Sequence, residues 1–381
     1  MPSSQNLQSD VRLVVDGHIH DQWESYRIDS HLLIPADDWE LRVSSVDDVG
    51  KPIALPVFVQ EGADVKLFVG DDLALSGLID TIVEDDDKWQ DNIVLSGRDY
   101  ASRLLDCSAP ILDMQQATLE QVIRKAVGVL GITQVRYQAT PSNPRQKVHT
   151  EPGQSIWEWL RAACEANHVW PWFAPDGTLI IGQPDYTTSP VADLITNISG
   201  EGNNIKSTMS TRSIVDRYSE VIVFGQAAGI GSKGSNVKAT SYDTGVKIYR
   251  PKIIIDGNCE TLALAQARAS KEIADGRLAG RHLTIKVAGH RIFNGSGIGR
   301  LWEPGMRVNL SLEHRGVFGI YYLIGRTFTR SRRTGTETIL KFVEDGAWML
   351  NLDTVKAKRR RDYHTKRLKY LNSPWSSDES A

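Results

Sequence analysis

Three cysteines in 381 residues, Cys107, Cys164 and Cys259, are an odd set, far apart and without a CxxC pair. Neither a disulfide framework nor a zinc knuckle fits, and a reducing compartment does. No apolar run approaches the roughly 20 residues that a membrane-spanning helix needs. The first residues, MPSSQNLQSD, are polar and lack the basic-then-apolar order of an export signal. Synthesis in a bacterial host cytoplasm without export is therefore expected. Chemistry-bearing motifs are scarce too. GxSxG and a Walker loop are absent, and no carboxylate pair, Ser–His set or Cys–His set stands at a catalytic spacing. Catalytic residues, metal and cofactors are each expected to be none, and the protein is expected not to be an enzyme.

Hydrophobic residues make up 41% and charged residues 24%, ordinary for a globular chain long enough for two to four domains. The net charge of −3 is unevenly placed. Lys356 to Lys369 carries eight Lys and Arg against one Asp, a local +7, which leaves −10 for the remainder. An acidic body with a short basic tail is not the pattern of a general nucleic-acid binder, which sets its basic residues on a body face. Lys358, Arg359, Arg360 and Arg361 at the centre of that run suit either an acidic partner surface, DNA, or simple solvation.

The stretch Glu61 to Leu105 organises the chain, because its pattern recurs. Val65, Leu67 and Val69 alternate as in a strand. Gly77 precedes a second strand (Leu78, Ile79, Ile82, Val83), and a polar turn leads to a third (Ile93, Val94, Leu95). Glu303 and Gly305 open the same order again: Val308, Leu310 and Leu312; then Gly319 and Tyr321 to Ile324; then the turn Ser331 to Gly335 and Ile339, Leu340, Phe342. Period-two alternation with glycine and polar breaks indicates antiparallel strands. Two readings are open, an internal duplication or two unrelated meanders.

Elsewhere, Asp10 to Asp99 reads as strands, and Ala101 to Pro110 as a short helix. Thr118 to Leu130 is a capped amphipathic helix ended by Gly131, and Ser155 to His168 a second one with Glu158 three residues after its cap. Val169–Phe173 and Thr178–Gly182 flank the turn Pro175-Asp176-Gly177. The expected fold is mainly β with α+β: two similar small antiparallel β-barrel domains plus a smaller α/β domain and an inserted helix. The expected boundaries are 1–104 for the first β-barrel and 105–200 for the α+β domain. The second β-barrel spans 201–350, with an inserted loop 227–257 and a helix 261–278, and 351–381 is a basic polar C-terminal tail.

Several motifs suggest chemistry and have plainer explanations. His18-Ile19-His20 resembles the metal-binding His-x-His of amidohydrolase-type enzymes, but those need a (β/α)₈ barrel, and the later histidines have no matching spacing. Gly229-Ile230-Gly231-Ser232-Lys233-Gly234 matches GxGxxG, yet no helical face follows to meet a pyrophosphate, so an exposed loop is expected. Trp157, Trp159, Trp170 and Trp172 suit stacking on sugar rings or, as on most helices and strands, a core. The run Glu84-Asp85-Asp86-Asp87 reads as a solvated hairpin turn.

Gly97-Arg98-Asp99 with Leu104-Leu105-Asp106-Cys107-Ser108-Ala109 is similar to a Gly-Arg-Asp…Leu-Leu-Asp-x-Ser signature of phage tail hub proteins. Pro152 to Ser155, Trp157 to Leu160, Asp176 to Leu179, Tyr218 to Val221 and Gly335 to Leu340 match later landmarks in the same order. From about residue 10 to 350 the chain resembles the baseplate hub proteins of Mu-like contractile-tailed phages and prophages. The motif positions Gly97, Arg98, Asp99, Leu105, Asp106, Ser108, Trp157, Leu160, Asp176 and Gly177 are expected to be structural. The resemblance implies a homotrimeric ring around a central channel, joining a six-fold tail tube to a three-fold membrane-piercing spike. Its implied partners are itself, the spike or needle protein, the tail tube or tube initiator, and the baseplate wedge proteins. DNA passes without specific binding, and the location is the virion tail baseplate. The alternative is a peptidoglycan-acting or carbohydrate-binding tail component, which the tryptophans suggest.

Overall fold

Strand after strand, side chains alternate between a buried and an exposed face. Val11, Leu13 and Val15 point inward along Val11–Val15, and Val65, Leu67 and Val69 do so along Asp64–Val69. In the computed structural model, which describes residues 10–21, 23–44, 55–86, 91–138, 145–150, 153–165, 169–226, 236–256, 259, 261–292 and 299–348, this pattern builds mainly antiparallel sheets with four helices. The chain forms two compact units. One comprises residues 1–185, 286–305 and 324–341, and the other 186–285, 306–323 and 342–381. Among the described residues no helix is long and apolar enough to cross a membrane.

The first unit carries an antiparallel path of strands. The end of Val317–Ser331 pairs with Ser25–His31, which pairs with Asp38–Ser44. Next come Asp91–Asp99, Asp72–Asp86, Asp64–Val69, Val11–Val15 and His18–His20. Among the described residues this path is open rather than closed on itself. Trp39, Leu41, Ile28, Leu67, Ile79 and Phe328 are fully buried in it.

A smaller α+β segment of the same unit follows. Its helices are α1 (Ala101–Asp106), α2 (Leu119–Gly128) and α3 (Ile156–Glu165). Both predicted capping boxes form. Thr118 accepts from the Gln121 N–H while Gln121 accepts from the Thr118 N–H, and Ser155 and Glu158 exchange the same two bonds at 3.1 Å. The hairpin Trp170–Phe173/Leu179–Gly182 adds Val135–Tyr137 as a parallel third strand. Val122, Ile123, Val127, Ile156, Trp157 and Leu160 form the centre of this segment's core.

In the second unit, Asp193–Thr196 runs parallel to Arg307–Leu312, which pairs antiparallel with the start of Val317–Ser331. The bidentate ion pair Arg307–Asp345, 2.9 and 3.1 Å, is buried beside it. A separate layer has Glu220–Gln226 at its centre, antiparallel to Asn236–Tyr242 and parallel to Pro251–Ile255. Helix α4 (Leu262–Ala279), capped by Thr261, sets Ala265, Ala269 and Ile273 on Val221, Val223 and Ala239. Arg217 and Arg277 close on the buried Asp243 at 2.7 and 2.9 Å. Burial works against its charge, but the two guanidiniums prevail and hold the carboxyl below its usual range.

Two details differ from expectation. The stretch 227–257, expected to be a loop, contains the strands Asn236–Tyr242 and Pro251–Ile255. Lys238, Thr240 and Tyr242 share its outward face while Val237, Ala239 and Ser241 turn toward α4, so a strand with so few apolar inward residues reads as a polar loop. Of the acidic run expected to form a hairpin turn, Glu84, Asp85 and Asp86 end the strand Asp72–Asp86, and Asp87 lies outside the described residues.

The recurring pattern is two three-stranded meanders of matched dimensions. Asp64–Val69, Asp72–Asp86 and Asp91–Asp99 have 6, 15 and 9 residues. Arg307–Leu312, Val317–Ser331 and Gly335–Glu344 have 6, 15 and 10.

Candidate functional site

Most of the motif positions converge on one joint in the first unit, where the last strand of the first meander turns into α1. Gly97 and Gly77 permit it. A Cβ on Gly97 would overlap the Leu78 carbonyl and press on Trp39, and one on Gly77 would overlap the Arg98 carbonyl. The register slips between Ile79 and Thr81, which leaves Asp80 as a bulge. Arg98 grips that bulge through Nε to Asp80 at 2.6 Å and holds Asp106, at the end of α1, with two bonds of 2.7 and 3.2 Å. The two carboxylates raise the guanidinium's pKa further.

Asp99 is buried and accepts the Ala101 N–H at 3.0 Å, starting the helix. Desolvation, then the neighbouring charge of Asp37, push its carboxyl well up. Desolvation likewise raises Asp37 to about 6. Gly177 sits beneath the ring of Tyr100, where a Cβ would come within 2.8 Å, and its φ of +82° completes the turn in which Asp176 accepts the Thr178 N–H. Ser108 bridges to Ser155, and Leu105 packs on the α+β core. Trp157 and Leu160 lie in that core together with Leu104 of α1.

The tryptophans are packed. Trp157 and Trp159 are 4% and 6% exposed, Trp157 meets Trp170 edge-on, and Trp170 donates to the Leu32 carbonyl at 2.6 Å. No free ring face of Trp157 or Trp159 is left for a sugar. His18 and His20 are exposed on a three-residue strand, and among the described residues no three His, Cys, Asp or Glu gather at metal-holding distances. Burial raises the Cys164 and Cys259 thiols, which makes them poor nucleophiles. The glycine motif 229–234 and the tail residues Lys358, Arg359, Arg360 and Arg361 lie outside the described residues.

A polar core escaped the sequence reading. Arg326 is buried, donates to the Ile28 and Ala74 carbonyls at 2.9 and 3.1 Å, and lies 3.9 Å over Phe328. Burial lowers it to about 10 against the opposing pull of Asp37, Asp29 and Glu303. Arg291 reaches Asp72 at 2.5 Å and the Val69 carbonyl at 2.8 Å. No local signal marks either arginine, because Ile28, Ala74, Asp72 and Val69 lie hundreds of residues away in sequence.

Among the described residues the arrangement is one of joints and packed cores. The sequence matches four family models in succession: "Mu phage baseplate assembly protein GpP-like, N-terminal" over 10–99, "Baseplate hub protein gp44-like, second domain" over 101–183, "Tail protein NMB1110-like, third domain" over 217–273, and "Tail protein, C-terminal domain" over 275–347. The baseplate hub protein gp44 of Escherichia phage Mu is 23% identical over 373 residues, 93% of each chain. The tail protein from Neisseria meningitidis MC58 superposes with a TM-score of 0.77 at 32% identity, over 89% of this chain and 97% of that one. The 43 kDa tail protein of prophage MuSo2 from Shewanella oneidensis does so with a TM-score of 0.77 at 22% identity, over 89% and 99%. Fold and relatives together define a structural protein of the phage tail. The chain belongs to the family of baseplate hub proteins of Mu-like phages and prophages.

Proposed function

We propose that three copies of this chain form a ring around a central channel, joining a six-fold tail tube to a three-fold membrane-piercing spike without catalysis. The observation that carries this is the pair of meanders matched at 6, 15 and 9 against 6, 15 and 10 residues. Two similar modules per subunit give six in a trimer, which suits a six-fold tube on one side while the subunits keep three-fold symmetry for the spike. On this reading 1–104 and 201–350 are the barrel domains and 105–200 the α+β domain between them. Cyclic subunits meet through two different surfaces, and the ring closes after three copies. The tail tube or its initiator, the wedge proteins and the spike are the partners, and residues 351–381 supply a basic segment for one of them. The body's −10 charge suits a channel wall that repels the DNA backbone.

Light scattering on the purified chain tests the ring. A mass three times the 42.4 kDa of one chain supports it. A monomer that stays monomeric with its spike partner overturns it. Lysis of cell walls in a zymogram would overturn the non-enzymatic part.

A further inference from the structure

In the second unit a groove of about 450 Å³ opens beside the strand Ser207–Arg212. Its cations are Arg212, Arg281 and Arg315, and its acids Glu313 and Glu344. Both acids are engaged. Arg281 donates to Glu344 at 3.2 Å, and Glu313 accepts the Ile198 N–H at 2.7 Å. Arg315 reaches only the Thr208 carbonyl, at 3.4 Å, and among the described residues no carboxylate pairs with Arg212 or Arg315. His282 and His314 complete the polar lining. Three arginines against two carboxylates leave the groove net positive, with Arg212 and Arg315 in no ion pair among the described residues. The strand itself is an edge. It lies next to Arg281–Ala288 on one side, pairs with nothing on the other among the described residues, and is exposed along nearly its whole length.

The first unit carries the complementary feature. Asp72–Asp86 pairs with Asp91–Asp99 as far as Asp86, but with Asp64–Val69 only as far as Leu78. Among the described residues Thr81 to Asp86 is therefore a second open edge. It ends in Glu84 and Asp85, both exposed and neither ion-paired among the described residues. Both surfaces offer an unpaired strand edge, and they carry unpaired charges of opposite sign.

We infer that the groove receives the acidic strand end Thr81 to Asp86 of a second copy of this chain. Glu84 and Asp85 then face Arg212 and Arg315, and the two open edges lie side by side. The inference rests on the ring reading and names its contact. A cyclic ring needs two different surfaces on each subunit that fit each other, and charge complementarity of this kind sets register and speeds encounter.

Sedimentation of the full chain tests it with three variants: R212E/R315E, E84K/D85K, and all four substitutions together. Each double variant is expected to raise the self-dissociation constant about tenfold, since two attractive pairs become unlike-to-like contacts. The quadruple variant, with the charges exchanged, is expected to recover most of the loss. All four substituted side chains are exposed, and melting temperatures serve as the control for folding. A wild-type trimer whose dissociation constant no variant moves overturns the docking and leaves the ring standing. So does a loss in both double variants without recovery in the quadruple. An acidic segment of another tail protein is the occupant if R212E/R315E leaves self-association intact and abolishes binding of that protein. A wild-type chain that associates neither alone nor with its spike partner overturns the ring and the docking together.

Discussion

The Nε2 of His290 lies 2.9 Å from the Tyr26 hydroxyl, with both rings buried in the first unit. Thr338 donates its hydroxyl hydrogen to the Gly289 carbonyl at 2.6 Å, so toward His290 Nδ1, 2.9 Å away, the same oxygen accepts. Nδ1 therefore carries the hydrogen, and Nε2 accepts from Tyr26. Burial first, then the charge of Arg326, lower the imidazole from 6.5 to about 3. Between those values the unfolded chain binds the extra proton. The site's contribution is complete above pH 6.5 and is lost as pH falls toward 3. The stability difference between the wild type and His290→Asn is expected to narrow below pH 6.5, by on the order of 1 kcal/mol per pH unit. Melting curves from pH 7 to 4 check this, and a constant difference would refute it.

Arg326 is expected to resist its usual replacement. Its two Nη atoms serve two carbonyls, and its plane covers Phe328. A lysine ammonium is a compact charge that cannot do all three. Arg326→Lys should cost roughly 2–4 kcal/mol, the range for leaving buried polar groups unpaired together with lost stacking. Denaturant midpoints measure it, and a cost near zero would contradict the geometry.

Gly97→Ala should cost about 2–3 kcal/mol, because the methyl meets the Leu78 backbone and the Trp39 ring, neither of which is a flexible chain end. Gly131→Ala is the control. No atom lies within 4 Å of a Cβ there, and its cost comes from the φ of +77° alone. A smaller loss at Gly97 than at Gly131 would show that the strands at the joint can separate without penalty.

Arg98→Ala removes partly exposed ion pairs, so the expected global cost is only about 1 kcal/mol. Its local effect should be larger. Amide exchange in α1 is expected to speed up relative to that in α2 and α3, because only α1 is tied to the bulge through Asp106. Uniform acceleration in all three helices would mean that Arg98 does not act as a clasp.

What was readable in the sequence was local. The caps at Thr118 and Ser155 need partners three residues away, and both formed. The meander strands announced themselves by alternation. The Gly97-Arg98-Asp99 motif was visible as a pattern, but its work depends on Asp80 at a bulge that no propensity reveals. Arg326 carried no local signal because its acceptors, Ile28 and Ala74, stand 298 and 252 positions away. Asn236–Tyr242 was hidden for a local reason, since a strand whose apolar inward residues are only Val237 and Ala239 has little hydrophobic signature.

The fifteen-residue strand Asp72–Asp86 has a mechanical consequence. It extends for roughly 50 Å and is laced to its neighbour Asp91–Asp99 over most of its outer half. A pull along its axis loads all the ladder bonds at once, in shear, whereas a pull across it opens them one after another. The hairpin is therefore stiff in one direction and weak in the perpendicular one, and thrust through a hub built from it would be carried best along the strand.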